Sequence, residues 1–334
     1  MKTLRAGIIG VSGYTGAELL KILLFHPHFE ITLLANSQGQ MSLEQIHPEF
    51  KGVFECEVKK ADPKEAIANC DVVFLALPHK SAMEFVRGLG KNLGGLKVID
   101  LSADYRLSVE NYEKFYCPHS DTHNLKDAVY GLPEYAKREI MNASLVANPG
   151  CYPTATLLAL LPFLPFIESK SVFVDAKSGV SGAGKKLSDD THFPSINENI
   201  FAYSPLNHRH QIEMEEKCAL FGGKDIHIHF IPHLISITRG MLVSIFAELN
   251  EDIEPLEVLQ KAYKGAEFVR ICESPVRVSN VCKSNMCDIF ASKRGKALYV
   301  SSAIDNLMRG ASSQAVVNAN LMCGFPAGCA IPKI

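Results

Sequence analysis

The run Asp71–Leu77 has no polar residue after its first. Such a continuous apolar run marks a strand buried on both faces, and a parallel sheet with helices on both sides provides that burial. Its surroundings repeat the theme. Arg5–Gly10 is a short apolar run ending in glycine, Gly16–Phe25 has helical spacing, and Glu30–Ala35 reads as a second strand. Ser81–Leu89 follows as a helix, and Lys97–Leu101 and Ser144–Ala147 as further strands. Strands alternating with helices predict an α/β domain of the Rossmann type, a doubly wound parallel sheet.

Beyond residue 150 the pattern changes. Val172–Lys177, His227–Ile231, Met241–Leu249 and Ala297–Ala303 read as longer strands, with helices over Gln211–Ala219 and Pro255–Tyr263 between them. This predicts an α+β domain with a mixed, largely antiparallel sheet. A last helix, Asn306–Met322, is expected to be amphipathic and to return to the first domain. The expected division is therefore 1–150 with 306–334, and 151–305. Gly179–Ser195 is the expected mobile loop.

Composition narrows the function. A chain of 334 residues makes one or two domains, and a net charge of -2 gives no electrostatic reason for a nucleic acid or an anionic membrane as partner. The apolar stretch Leu157–Ile167 is broken by Pro162 and Pro165, so no membrane span is expected. Ten cysteines show no repeated spacing, and Met1–Arg5 leads straight into a strand-like run, so reduced thiols in a cytoplasmic protein are expected. No Cys-x-x-Cys pair is present, and His227, His229 and His233 read as structural residues of a strand, so no metal is expected.

Chemistry concentrates at Asn148-Pro149-Gly150-Cys151-Tyr152-Pro153-Thr154, just before the apolar run Ala155–Leu164. The run reads as a buried helix with Cys151 at or before its first turn. Unpaired N–H groups and the positive end of the macrodipole stabilise an anion there, which favours a nucleophilic thiolate. The glycine loop Gly7-x-x-Gly10-x-x-Gly13-x-x-Gly16 lies between the first strand and helix, where a dinucleotide pyrophosphate binds. No acidic residue ends the second strand; neutral Asn36 and Ser37 favour NADP over NAD. Pro78 and His79 end a buried strand, where a cofactor crosses a doubly wound sheet. Arg106 suits a phosphate or carboxylate, or an ion pair with Asp104. Ser181, Gly182 and Lys185 lie in a small-residue anion nest. His208, Arg209 and His210 precede a helix; the histidines suit thiol activation and proton transfer, and Glu213 either orients His210 or meets the helix dipole. A nucleophilic cysteine on a dinucleotide fold implies hydride transfer through a thioester, with phosphate as the leaving group.

With these motifs in this order, the chain resembles the N-acetyl-gamma-glutamyl-phosphate reductase family. The resemblance is carried by Asn148–Thr154, Gly10–Gly16, Leu77-Pro78-His79, Asp100–Arg106, Tyr130–Glu134, Gly179–Lys185, His208-Arg209-His210 and Asp305-Asn306-Leu307. It implies NADPH-dependent reduction of N-acetyl-L-glutamyl 5-phosphate to the 5-semialdehyde and phosphate, in arginine biosynthesis. Cys151 would be the nucleophile, and His208 or His210 the acid–base residue, with His208 favoured. Gly10, Ser12, Gly13, Tyr14, Thr15 and Gly16 would hold the pyrophosphate and Ser37 the 2′-phosphate, with Pro78, His79, Ser181, Gly182 and Asn306 also on the cofactor. Arg106, Asn148, Lys185, Arg209 and Glu213 would contact the substrate. Lys185, where Arg is common, weakens bidentate phosphate binding. A homodimer or homotetramer is expected. The rival readings are an aminoadipyl-phosphate reductase of lysine biosynthesis, an aspartate-semialdehyde dehydrogenase, and a non-catalytic NADP sensor.

Overall fold

The computed structural model describes residues 3–334. Met1 and Lys2, the start of the run expected to lead into the first strand, lie outside the described residues. The chain forms two compact units. The first is the described part of Met1–Pro149 with Ala311–Ile331, and the second is Gly150–Gly310 with Pro332–Ile334.

The first unit carries an eight-stranded sheet. Its strands lie in the order Met41–Ser42, Glu57–Lys60, Phe29–Asn36, Leu4–Ile9, Val72–Leu75, Lys97–Asp100, Leu145–Ala147, Val129–Tyr130. Neighbours are parallel except for the first pair. Every residue of Val72–Leu75 is buried, as an apolar run covered on both faces must be. From Leu4–Ile9 the chain winds outward to Phe29–Asn36, then resumes on the other side at Val72–Leu75. The loop after Leu4–Ile9 therefore sits at the topological switch point, where open α/β sheets bind ligands.

The last helix departs from expectation twice. It spans Ser312–Met322, not Asn306–Met322. The Asp305 carboxylate accepts the amides of Leu307 (2.9 Å) and Met308 (3.0 Å), and this side-chain turn displaces the helix start. The helix is also buried all round instead of amphipathic. Its polar side chains bond inward: Ser312 Oγ donates to the Thr15 carbonyl (2.9 Å), and Gln314 Nε2 and Asn318 Nδ2 donate to the Gly131 carbonyl (2.7 and 3.0 Å), while Gln314 Oε1 and Asn318 Oδ1 stay buried without a partner among the described residues.

The second unit holds a seven-stranded mixed sheet. Its order is Ile200–Ala202, His227–Ile235, Ser171–Gly179, Met241–Glu248, Ala297–Ile304, Cys287–Arg294, Val269–Ile271. His227–Ile235 runs parallel to Ser171–Gly179, and Val269–Ile271 parallel to Cys287–Arg294; the other neighbours are antiparallel. The helix Cys151–Leu160 packs on one face against Met241–Glu248 and Ala297–Ile304. Residues 152–160 are all buried, which explains why the segment shows no amphipathic stripe. The opposite face leaves Phe173 and Phe246 about half exposed. Those two residues pair across neighbouring strands, and Phe246 pairs in turn with Tyr299.

One buried histidine gives the first unit a pH signature. His26 Nδ1 accepts the amides of His28 (3.2 Å) and Phe29 (3.1 Å), so Nε2 carries the proton donated to Asn320 Oδ1 (2.9 Å). Burial lowers its pKa from the ordinary 6.5. Protonation would break both Nδ1 bonds. The stability this neutral ring contributes is complete above pH 6.5 and declines as pH falls below that value. We expect the difference in Tm between the parent and His26→Gln to be largest above pH 7 and to shrink towards pH 5. A constant difference across that range would refute the linkage.

Candidate active site

Cys151 is the first residue of its helix, with Gly150 as N-cap in extended conformation. No side chain caps this end. The first-turn amides of any helix lack intrahelical acceptors, so the start favours negative charge on the Cys151 sulfur. The preceding turn is fixed from another element. Glu213 Oε1 accepts the Gly150 amide (3.0 Å), and Glu213 is only 1% exposed. The helix is anchored further in by Ser302, whose Oγ donates to the Ala155 carbonyl (2.8 Å). A Cβ on Gly310 would come within 2.6 Å of the Cys151 Cβ, so only glycine lets that backbone pass the Cys151 side chain.

The histidines stand beside this helix start. His210 opens the helix His210–Gly222, and Glu213 lies in its first turn. The Tyr152 ring lies 5.7 Å from that of His208 and 5.9 Å from that of His210, edge-on to both. Tyr203 and Phe230 each lie 5.5 Å from His208, also edge-on. His208 Nδ1 accepts the His210 amide (3.1 Å), which places the ring proton on Nε2. Burial, reinforced by Arg209, pushes the His208 pKa down to about 4. Arg209 itself is exposed.

The dinucleotide cradle belongs to the first unit. Gly10 has φ +99°, and a Cβ there would lie 2.2 Å from the Ala76 carbonyl oxygen. On Gly16 a Cβ would lie 2.5 Å from the Gly10 oxygen. Both glycines are thus required by the turn itself. Gly13 differs: its Cβ would meet nothing closer than 3.9 Å, so a Cβ there would fill open space before the helix Tyr14–Leu23. That space, next to the uncapped helix start, suits a pyrophosphate. Thr15 is partly exposed and Tyr14 is exposed. Ser12 Oγ accepts from Asn36 Nδ2 (2.9 Å), while Asn36 Oδ1 accepts the amides of Gln38 (2.9 Å) and Gly39 (2.6 Å). Asn36 shapes the loop, and the neighbouring Ser37 is exposed. Pro78 and His79 are exposed as well, with His79 5.7 Å edge-on from Tyr116.

Several polar groups read from the sequence as ligand contacts are tied into the fold. Arg106 is 7% exposed; its Nε donates to the Asn148 carbonyl (2.8 Å) and its Nη2 to the Leu101 carbonyl (2.7 Å). Asp104 accepts the amides of Lys80 (3.0 Å) and Met83 (2.9 Å) and the Tyr112 hydroxyl (2.7 Å). Asn148 donates to the Ala311 carbonyl (3.1 Å) and accepts from Asn318 (3.0 Å). Asn306 accepts the Gly240 amide (2.7 Å) and donates to Ser181 Oγ (3.0 Å), placing it in the turn after Ala297–Ile304. Gly182 and Lys185 are exposed beside that clamp. Among the described residues no cluster of His, Cys, Asp and Glu is arranged for a metal, and no helix is long and apolar enough to cross a membrane. His229 instead stacks on Phe173 at 4.7 Å. Tyr152, Tyr203 and Gly310 were not visible as site residues in sequence; the only signal was proximity to Cys151, His208 and Asn306.

Comparison with known proteins defines the class. Residues 5–143 match the family described as "Semialdehyde dehydrogenase, NAD binding domain", and residues 151–306 match "Semialdehyde dehydrogenase, dimerisation domain". The fold is that of solved aspartate semialdehyde dehydrogenases. The enzyme II from Vibrio cholerae, complexed with ASA, has a TM-score of 0.72 at 16% identity, covering 97% of this chain and 99% of that one. The one from Candida albicans with NADP has a TM-score of 0.71 at 14% identity, covering 96% and 99%. Full-length relatives go further. "N-acetyl-gamma-glutamyl-phosphate reductase" of Wolinella succinogenes is 56% identical, covering 100% of this chain and 98% of that one. The protein of the same name from Campylobacter curvus is 53% identical, covering 100% and 99%. The chain belongs to the N-acetyl-gamma-glutamyl-phosphate reductase family.

Two outcomes follow from this geometry. Burial raises the pKa of other thiols, Cys70 and Cys323 to about 11 and Cys218 to about 12. Iodoacetamide at pH 7 should therefore label Cys151 first, as read by peptide mapping; earlier labelling of those three would contradict a thiolate at the helix start. Gly13→Ala should leave Tm nearly unchanged and weaken NADPH binding, whereas Gly10→Ala should lower Tm. Equal binding by Gly13→Ala and the parent would remove the pyrophosphate from that loop.

Proposed function

We propose that this chain reduces N-acetyl-L-glutamyl 5-phosphate to N-acetyl-L-glutamate 5-semialdehyde and phosphate, with NADPH as reductant, in arginine biosynthesis. The observation that carries the reading is Cys151 at the first position of a buried helix, beside two histidines. Relatives of that name at more than half identity over the whole chain support the substrate.

The Cys151 thiolate attacks the acyl carbon, the C–O bond to phosphate breaks, and a thioester with phosphate as by-product results. NADPH supplies the hydride that reduces the thioester. Gly10, Ser12, Gly13, Tyr14, Thr15 and Gly16 would cradle its pyrophosphate, and the exposed Ser37 hydroxyl would meet the 2′-phosphate. As the carbon–sulfur bond breaks, the thiolate leaves and the aldehyde forms. Of the two histidines, His208 is too weakly basic to carry a proton near neutrality. His210, at its helix start with Glu213 one turn on, is therefore the acid–base residue. Arg106, Asn148, Lys185, Arg209 and Glu213 remain the proposed substrate-side residues, and Pro78, His79, Ser181, Gly182 and Asn306 the further cofactor-side ones. For Asn148 and Asn306 that contribution is positional, since both ends of their side-chain amides are bonded within the fold.

The half-exposed Phe173 and Phe246 on the uncovered sheet face suit a second copy of the chain, in a homodimer or homotetramer. Among the described residues all ten cysteines are free thiols, and we place the chain in the cytoplasm.

The test is phosphate-dependent reduction of NADP in the reverse direction, with N-acetylglutamate, aminoadipate-type and aspartate semialdehydes side by side. Activity with the first alone is expected. Activity only with another moves the chain to a sister pathway, and NADPH binding without turnover of any of them makes it a sensor. Cys151→Ala should abolish turnover and leave NADPH affinity within a few-fold, and His210→Ala should lower kcat by roughly 10²–10⁴-fold. Substantial turnover by Cys151→Ala would sink the thioester.

A further inference from the structure

The mechanism above leaves His208 without a task, although four aromatic rings are built around it. Tyr152 comes from the cysteine helix, Tyr203 from the segment after the edge strand Ile200–Ala202, Phe230 from the strand His227–Ile235, and His210 from the next helix. All four stand at steep angles to its ring, between 66° and 81°, with centroids 4.8–5.7 Å away. Its Nδ1 is occupied by the His210 amide. An imidazole accepting at Nδ1 is neutral and carries its proton on Nε2. Protonating Nδ1 would turn an acceptor into a donor facing a donor.

The cage is braced through its hydroxyls. The Tyr203 hydroxyl donates to the Tyr152 hydroxyl (2.9 Å), which donates to the His233 carbonyl (3.4 Å). The Tyr203 amide also donates to the Pro232 carbonyl (3.0 Å). Both phenols are therefore turned into the protein and leave their rings as walls. The titratable or charged groups around His208 are Arg209 beside it in the chain, and His210, Tyr152 and Tyr203 against its ring. The nearby Glu213 carboxylate holds the Gly150 amide.

We propose that His208 is a permanently neutral hydrogen-bond donor, through Nε2, to the carbonyl oxygen of the acyl group on Cys151, and that Tyr203 is the positioning residue that keeps it so. The proposal rests on the acyl-transfer reading above and divides the labour of the two histidines. His210 moves the proton, while His208 stabilises the negative charge that develops on oxygen without giving its proton up.

The test combines spectroscopy and kinetics on the full chain. In 15N-histidine-labelled protein, with His208→Gln providing the assignment, His208 should show the Nε2–H tautomer and no titration between pH 5.5 and 8. Tyr203→Ala should make that ring titrate nearer to the ordinary value of about 6.5 and lower kcat at least about tenfold, with KM changed less. Tyr203→Phe, which keeps the ring, should retain the neutral tautomer and most of kcat. An Nδ1–H tautomer, or titration between pH 6 and 7 in the parent, overturns the proposal even if Tyr203→Ala fails to fold. So does a folded Tyr203→Ala whose His208 titrates normally while kcat is unchanged. The spectra need no substrate, so failure of the reductase reading, seen as absent turnover by the parent, stays distinct from failure of the cage.

Discussion

The hydrogen bond from the Gly150 amide to the buried Glu213 carboxylate fixes the start of the helix on which the proposed chemistry depends. The next nine residues after Cys151 are buried, so the helix has no freedom to adjust along its length. Its first turn is the one place where a thiol can sit at the uncapped positive end and still reach a reactant. Glu213 reaches it from the first turn of the His210 helix, so one contact ties together the segments that carry the proposed nucleophile and the proposed acid–base residue. Gly310 completes the arrangement by letting backbone pass beside the Cys151 Cβ.

The two histidines, one residue apart, have been given different environments. His208 is enclosed by rings and accepts at Nδ1; burial, reinforced by Arg209, lowers its basicity. His210 stands at a helix start with a carboxylate in its first turn. Sequence reasoning favoured His208 for proton transfer because nothing in Asn207–Glu213 separates the pair. The distinction comes from Tyr152, Tyr203 and Phe230, which the fold gathers from distant segments.

How far the sequence could be read follows from what each signal reports. Buried parallel strands are apolar throughout, so Asp71–Leu77 declared its environment, and the observed strand Val72–Leu75 lies within it. The strand Cys287–Arg294 went unread because its second half, Ser292-Lys293-Arg294, is polar. The expected start of the last helix at Asn306 differs from the observed one because an Asp before a polar, helix-compatible run does not by itself show whether its carboxylate will close a local turn. The fold contacts of Arg106, Asn148 and Asn306 were not legible, because sequence shows polar atoms and hides their partners. The helix start at Cys151 and the tight glycine turn were legible because both depend on local backbone.

The central claim is that the acyl group is carried on Cys151. It is tested most directly by mixing the protein with N-acetylglutamyl phosphate generated in situ, without NADPH, quenching in acid and mapping peptides by mass spectrometry. The account predicts one N-acetylglutamyl adduct on the Cys151 peptide, matched by one phosphate released and discharged as aldehyde when NADPH is added. An unmodified Cys151 in a preparation that turns over normally once NADPH is present would contradict it, because the hydride would then reach the acyl phosphate directly.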